Sequence, residues 1–227
     1  MSEPHLASDD RTSIVLVGSF NPRIFQPSWF VRQQLLPPLD EEEAQVELIN
    51  NDLCAFQTSI FRIEALSERF AAHSIAAPVP DLLRDLVQGT FEILKHNPVV
   101  KIGINTSGHF QLDSFDQYNS FGHHLAPKTS LWKPILNEPK TLSLLVQGRR
   151  ADESTYPGFL NVKVEPSTRI ANGILVETND EFQNENATDA SWVSKVLVDE
   201  WSDSLNRVAA IREHLLEQAA TLEHQDD

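Results

Sequence analysis

A chain of 227 residues, 41% of them hydrophobic, can bury a core of its own without metals or disulfides, and a single cysteine, Cys54, rules out a disulfide within it. The formal charge of −15 repels phosphate backbones, which proteins bind by displacing counterions with Lys and Arg, so DNA and RNA are disfavoured as partners. No apolar run approaches the roughly 20 residues of a membrane helix, and the opening "MSEPHLASDDRTS" lacks the apolar stretch of a secretion signal. A soluble cytoplasmic protein without membrane contact is expected.

Residues 1–12 read as a disordered N-terminus. The run "IVLVGSF" at 14–20 is apolar and β-rich, and "NPRIFQP" ends it. A short helix fits "SWFVRQQLL", closed by Pro37 and Pro38. After "LDEEEA" come three expected strands, "QVELIN", "FQTSIFRIEAL" and "RFAAHSI", the last two joined by a hairpin turn at "SER". In "DLLRDLVQGTFEILKH", Leu82, Leu83, Leu86, Val87, Thr90, Phe91 and Leu94 recur at the helical spacing of one buried face, and Asn97 with Pro98 stops the helix.

The same order then returns. "VVKIGIN" is a strand, and "SFDQYNSFGHHL" is a helix opened by a Ser114-x-x-Gln117 capping box. "TLSLLVQGR", "GFLNVKVEP" and "RIANGILVET" are three strands, and a helix of about 33 residues is expected from Ala190 to Glu223. Residues 13–97 and 98–223 thus form two β-α-β-β-β-α halves of one domain, followed by an acidic tail at 224–227. Short connections between sequential strands favour antiparallel pairing. The expected fold is α+β: one continuous curved antiparallel sheet with two long helices packed on one face. Each half has the element order of TATA-binding-protein-like and helix-grip folds, an analogy that sets no function.

Taken together, "FNPRIFQPSWF", "NPVVKIGIN", "FGHHLAPKTSLWKPIL" and "GILVETNDEF" leading into a long C-terminal helix resemble a sporadically distributed, functionally unassigned family of bacterial α+β proteins. The resemblance implies an α+β fold and a bacterial source, and brings no catalytic residues with it.

Several side chains are candidates for chemistry. On a strand His109, Gln111 and Asp113 share one face, and on the next helix Asp116, Asn119 and His123 form a polar stripe. A site would need His109 and Asp113 to meet His123; the competing reading makes His123 and His124 helix-end residues favoured by the helix dipole. The sequence shows neither metal-ligand spacing, nor a G-x-S-x-G elbow, nor a P-loop, so no metal and no cofactor is expected. Cys54 reads as a small buried hydrophobe. In "SFNPRIFQPSWF", Trp29 and Phe30 anchor the first helix on the sheet or, with Arg23, form an exposed recognition loop. The apolar repeat at Trp201, Val208, Leu215 and Leu222 is a sheet-packing face or the seam of a homodimer, and Arg212 interrupts a simple coiled coil.

The expected function is that of a non-enzymatic binding or regulatory protein. It would engage a protein partner through the helix-free sheet face or the acidic C-terminal helix, as a neutraliser or accessory subunit of a basic partner. The alternative is a small-ligand binder or enzyme with a polar pocket between sheet and helices, using His109, Asp113 and His123.

Overall fold

A computed structural model describes residues 8–75, 79–128, 131–151 and 154–222. The first half contains β1 (Ser8–Gly18), a 3-10 turn (Pro22–Ile24), two short helices α1 (Pro27–Arg32) and α2 (Pro38–Glu43), four strands β2 (Gln45–Ile49), β3 (Leu53–Gln57), β4 (Phe61–Leu66) and β5 (Arg69–Ser74), and α3 (Pro80–Ile93). The second half contains β6 (Val99–Gln111), α4 (Phe115–Leu125), β7 (Leu144–Gly148), β8 (Gly158–Pro166), β9 (Gly173–Gln183), α5 (Ser191–Asp199) and α6 (Trp201–Leu222).

All nine strands pair antiparallel in one open sheet, in the order β2-β3-β4-β5-β1-β6-β9-β8-β7. Each half opens with the strand that ends up at the centre, so the halves join where β1 pairs with β6, from Arg11↔Ser107 to Val17↔Lys101. Alternation of side chains then sorts the two faces. Ile14 and Leu16 of β1, Ile102 and Ile104 of β6, and Val176 and Phe182 of β9 are buried toward the helices. Ser13, Asn105 and Asn179 point to the other side, which the helices leave uncovered.

The helix side holds two hydrophobic clusters. The larger joins β1, β3–β6, α1, α3 and α5, with Phe25 at the centre of a ring network that includes Phe70 at 5.0 Å and Phe91 at 6.3 Å between centroids. The smaller gathers Phe110, Phe121, Ile174, Val176, Leu216 and Ala219 around α4 and the end of α6. A polar layer lies between them. Thr106 and Thr178 share a 2.6 Å hydroxyl hydrogen bond, and the fully buried Asp180 accepts from Arg150 Nε and Arg207 Nη1, both at 2.6 Å. Arg207 also pairs with Glu200, whose second oxygen accepts from Ser154. Arg150 lies 3.9 Å above the Phe182 ring.

The α+β class, the continuous antiparallel sheet and the long C-terminal helices match expectation; four local readings do not. Residues 8–12, expected in a disordered terminus, belong to β1, with Arg11 and Thr12 in register with Ser107 and Thr106. "FQTSIFRIEAL" is not one strand: Thr58 Oγ1 accepts the N–H groups of Ile60 and Phe61, closing a hairpin that gives the first half four strands after its short helices. Pro38, expected to end a helix, occupies the first turn of α2, where its missing N–H costs nothing. The C-terminal helix divides at Glu200 (φ −109°, ψ −8°) into α5 and α6, and the Glu200 carboxylate is held by Arg207 and Ser154. The apolar residues Trp201, Val208, Leu216 and Ala219 of α6 are buried within the chain's own fold. The acidic tail at 224–227 lies outside the described residues.

Candidate functional site on the helix-free sheet face

The strand register builds a feature that single strands do not show. Gln45, Gln57, Arg62, His73, Ser13, Asn105, Asn179, Asn161 and Gln147 stand directly opposite one another, one per strand, across all nine strands. Directly opposed residues in an antiparallel sheet share a face, so this is one polar row on the helix-free side. Its middle is short and uncharged. Asn105 Nδ2 donates to the Gly103 carbonyl at 3.2 Å, and Gln147 Nε2 donates to Asn161 Oδ1 at 2.8 Å.

Longer ion-paired side chains flank that floor. On the β4 side Arg62 holds Glu47 through two hydrogen bonds of 2.9 Å and touches Glu64 at 3.3 Å, while Arg69 reaches Glu64 at 2.7 Å. On the β8 side Lys163 pairs with Glu177 at 2.5 Å and with Glu165 at 3.2 Å. The hydrogen bond from Arg62 lowers the pKa of Glu47, and the one to Glu177 raises that of Lys163. Short floor and long walls enclose a concave cavity of about 600 Å³, lined by Arg11, Arg62, His73, Asn105, Asn161 and Asn179 among others.

Two groups in the cavity are poised to accept contacts. Asn179 Oδ1 is buried without a hydrogen-bond partner among the described residues. It lies over Gly103, where a Cβ would stand only 2.7 Å from it, so glycine lets the amide settle against the strand. An unsatisfied buried acceptor costs about 1–3 kcal/mol, which a ligand N–H would recover once the amide turns outward from Gly103. His73 has its pKa lowered, first by burial and then by Arg62 and Arg69, which favours the neutral ring.

Ser13 faces His73 in the register, yet no hydrogen bond joins them among the described residues, so the pairing that activates a serine is not formed. Nor does any group of three or more His, Cys, Asp or Glu among the described residues stand where it would hold a metal ion. The arrangement offers hydrogen bonds in a row, flanked by balanced charge.

The residues singled out from sequence are dispersed around this face. His109 is buried on β6, on the helix-free side, with Nδ1 2.9 Å from Ser167 Oγ. Asp113 follows the end of β6 and is exposed; its N–H donates to Gln117 Oε1 at 2.6 Å, while Ser114 Oγ accepts from Gln117 N–H at 2.9 Å, which completes the helix cap. His123 is exposed in the last turn of α4, on the helix side, so the sheet separates it from His109. Arg23 is exposed on the 3-10 turn. Trp29 packs edge-on against Phe25 and Phe30 as an anchor of α1. Cys54 is fully buried, its Sγ donates to the Phe25 carbonyl at 2.9 Å, and burial pushes its pKa up to about 11.

Sequence reasoning missed the polar row because each member is an ordinary outward residue of its own strand. Only cross-strand register aligns Ser13, Asn105, Asn179 and Asn161, and register between residues 166 positions apart, Ser13 to Asn179, has no local signal. No protein-family model and no curated protein matches this chain, so its residues carry the functional argument on their own.

Proposed function

We propose that this chain is a non-enzymatic binding protein of bacterial type that holds an extended segment of a protein partner across its helix-free sheet face. The observation that carries the reading is the uninterrupted polar row with an amide-lined cavity at its centre. Asparagine and glutamine side chains present a donor and an acceptor side by side, the complement of a peptide group. From Arg62 on β4 to Asn161 on β8 the row crosses five strand spacings, roughly 24 Å at about 4.8 Å each, the length of about seven extended residues. The unpaired acceptor of Asn179, once the amide turns outward from Gly103, matches a backbone N–H of the partner.

Nucleic acid fits less well. Arg62, Arg69, Lys101 and Lys163 on this face are each ion-paired with a glutamate, so few uncommitted cations are left to displace counterions. The polar-pocket reading built on His109, Asp113 and His123 is not favoured, because His109 and His123 stand on opposite sides of the sheet.

Site-specific photo-crosslinking in cells tests the proposal. A photoreactive residue at Asn161 should yield a discrete protein adduct, which the further change Asn179→Ala should weaken by roughly tenfold, the loss of one well-made hydrogen bond to a buried group. A probe at Glu213, exposed on the helix side, should yield none. Equal adducts from both positions, or none from Asn161, would sink it.

A further inference from the structure

The helix side of the sheet is closed over β3, β4, β5 and β1 and open over its last two strands. Between α4, α6 and strands β7–β8 lie two adjoining cavities of about 300 and 440 Å³. They share Leu125, Leu144 and Val164 as common wall, so they form one continuous trough. Its far end runs over Val146, Val162 and Ile211 and is almost wholly apolar. Together the two volumes fall within the range of small-molecule sites.

The near end differs in charge from the rest of the molecule. Lys128, Lys140 and His123 stand at its rim, in a chain whose formal charge is −15. Lys140 is exposed and has no partner among the described residues. Lys128 Nζ donates to the Gly122 carbonyl at 2.5 Å, and burial lowers its pKa, a cost that an approaching anion would offset. Glu165, the one acid among the described residues of that wall, is already committed to Ser143 and Lys163, so it does not neutralise the rim. An apolar trough with a cationic mouth complements a molecule with an anionic head and a long apolar tail.

We propose that this trough binds an amphipathic carboxylate with a linear alkyl chain, its head at Lys128 and Lys140 and its tail laid between α6 and β7–β8. The site is on the opposite side of the sheet from the polar row, so the two proposals stand or fall separately.

Calorimetric titration of the full chain with octanoate, decanoate and dodecanoate, each below its micelle concentration, tests the idea. Affinity should rise roughly fourfold per added methylene, the ratio that follows from about 0.8 kcal/mol per buried CH₂. Lys140→Glu should weaken dodecanoate at least tenfold and leave dodecanol unchanged. Ala210→Trp, at an exposed α6 position that borders the trough, should abolish binding of both without loss of thermal stability. Absence of dodecanoate binding, or affinity indifferent to chain length and to Lys140→Glu, would overturn the proposal. So would a chain that sediments with phosphatidylglycerol vesicles but takes up no monomeric dodecanoate, or one that dimerises through the trough and does so no longer after Ala210→Trp.

Discussion

The two halves of the sheet share a plan but are filled differently. In the first, α1, α3 and α5 seal β3, β4, β5 and β1 beneath a cluster of phenylalanines whose rings touch one another, and Phe25, Phe30, Phe70 and Phe91 are essentially inaccessible. In the second, eight buried side chains form the cluster among the described residues, and the trough leaves Val146 half-exposed and Val162 partly so. A closed core gives rigidity, and an incomplete one gives room for a ligand. Local stability should therefore be unequal along one continuous sheet.

The largest expected effect breaks the closed side. Phe25→Ala removes the ring at the centre of the network and should cost about 5 kcal/mol, whereas Leu216→Ala, at the edge of the open cluster, should cost about 2 kcal/mol. Chemical denaturation of both variants measures the difference, and equal losses would mean that the second cluster is as tightly packed as the first.

The next effect falls on the layer between them. Asp180→Ala would leave Arg150 and Arg207 buried without their shared carboxylate, at a cost of about 3–4 kcal/mol. Because Asp180 ties β9 to α6, hydrogen exchange in the variant should accelerate in β8, β9 and α6 while β4 and β5 stay protected. Uniform acceleration across all strands would show that the two halves open as one unit.

How much of this was legible in sequence follows from the range over which each signal acts. Helical spacing in α3 and the Ser114–Gln117 cap are local, and both are found, except that Leu82, read into the buried face of α3, is exposed and Leu94 is the helix's C-cap. The hairpin at Thr58 escapes a local reading because Thr and Ile are at home in strands, and the side-chain turn that Thr58 makes carries no Gly or Pro, with Ser59 alone between them to signal it. The break at Glu200 is likewise unmarked by composition, and the partners of its carboxylate, Ser154 and Arg207, lie 46 and 7 positions away. Arg212, read as an interruption of an apolar seam, lies 5.4 Å over the Phe110 ring and pairs with Asp10, a residue 202 positions away. The polar row is further still from local reading, since every one of its alignments depends on pairing between strands.

The smallest effect concerns the row itself and belongs to the closed half. His73 on β5 has a folded pKa below its ordinary value of 6.5, because burial and the neighbouring Arg62 and Arg69 disfavour the imidazolium. Between the two values the unfolded chain binds the proton and the folded chain does not, so stability rises with pH across that window. The contribution is whole above about pH 6.5 and is lost as acid protonates the ring. His73→Gln keeps a polar side chain at the position and removes the titration. Thermal melts at pH 7 and pH 5 should therefore show the unmodified chain losing more than the variant. The added loss should appear as faster exchange in β4 and β5, the side that is otherwise the more protected. If both proteins lose the same amount, the half-buried ring beside Arg62 is not what acid attacks first, and the weak point lies among the carboxylates of the ion pairs.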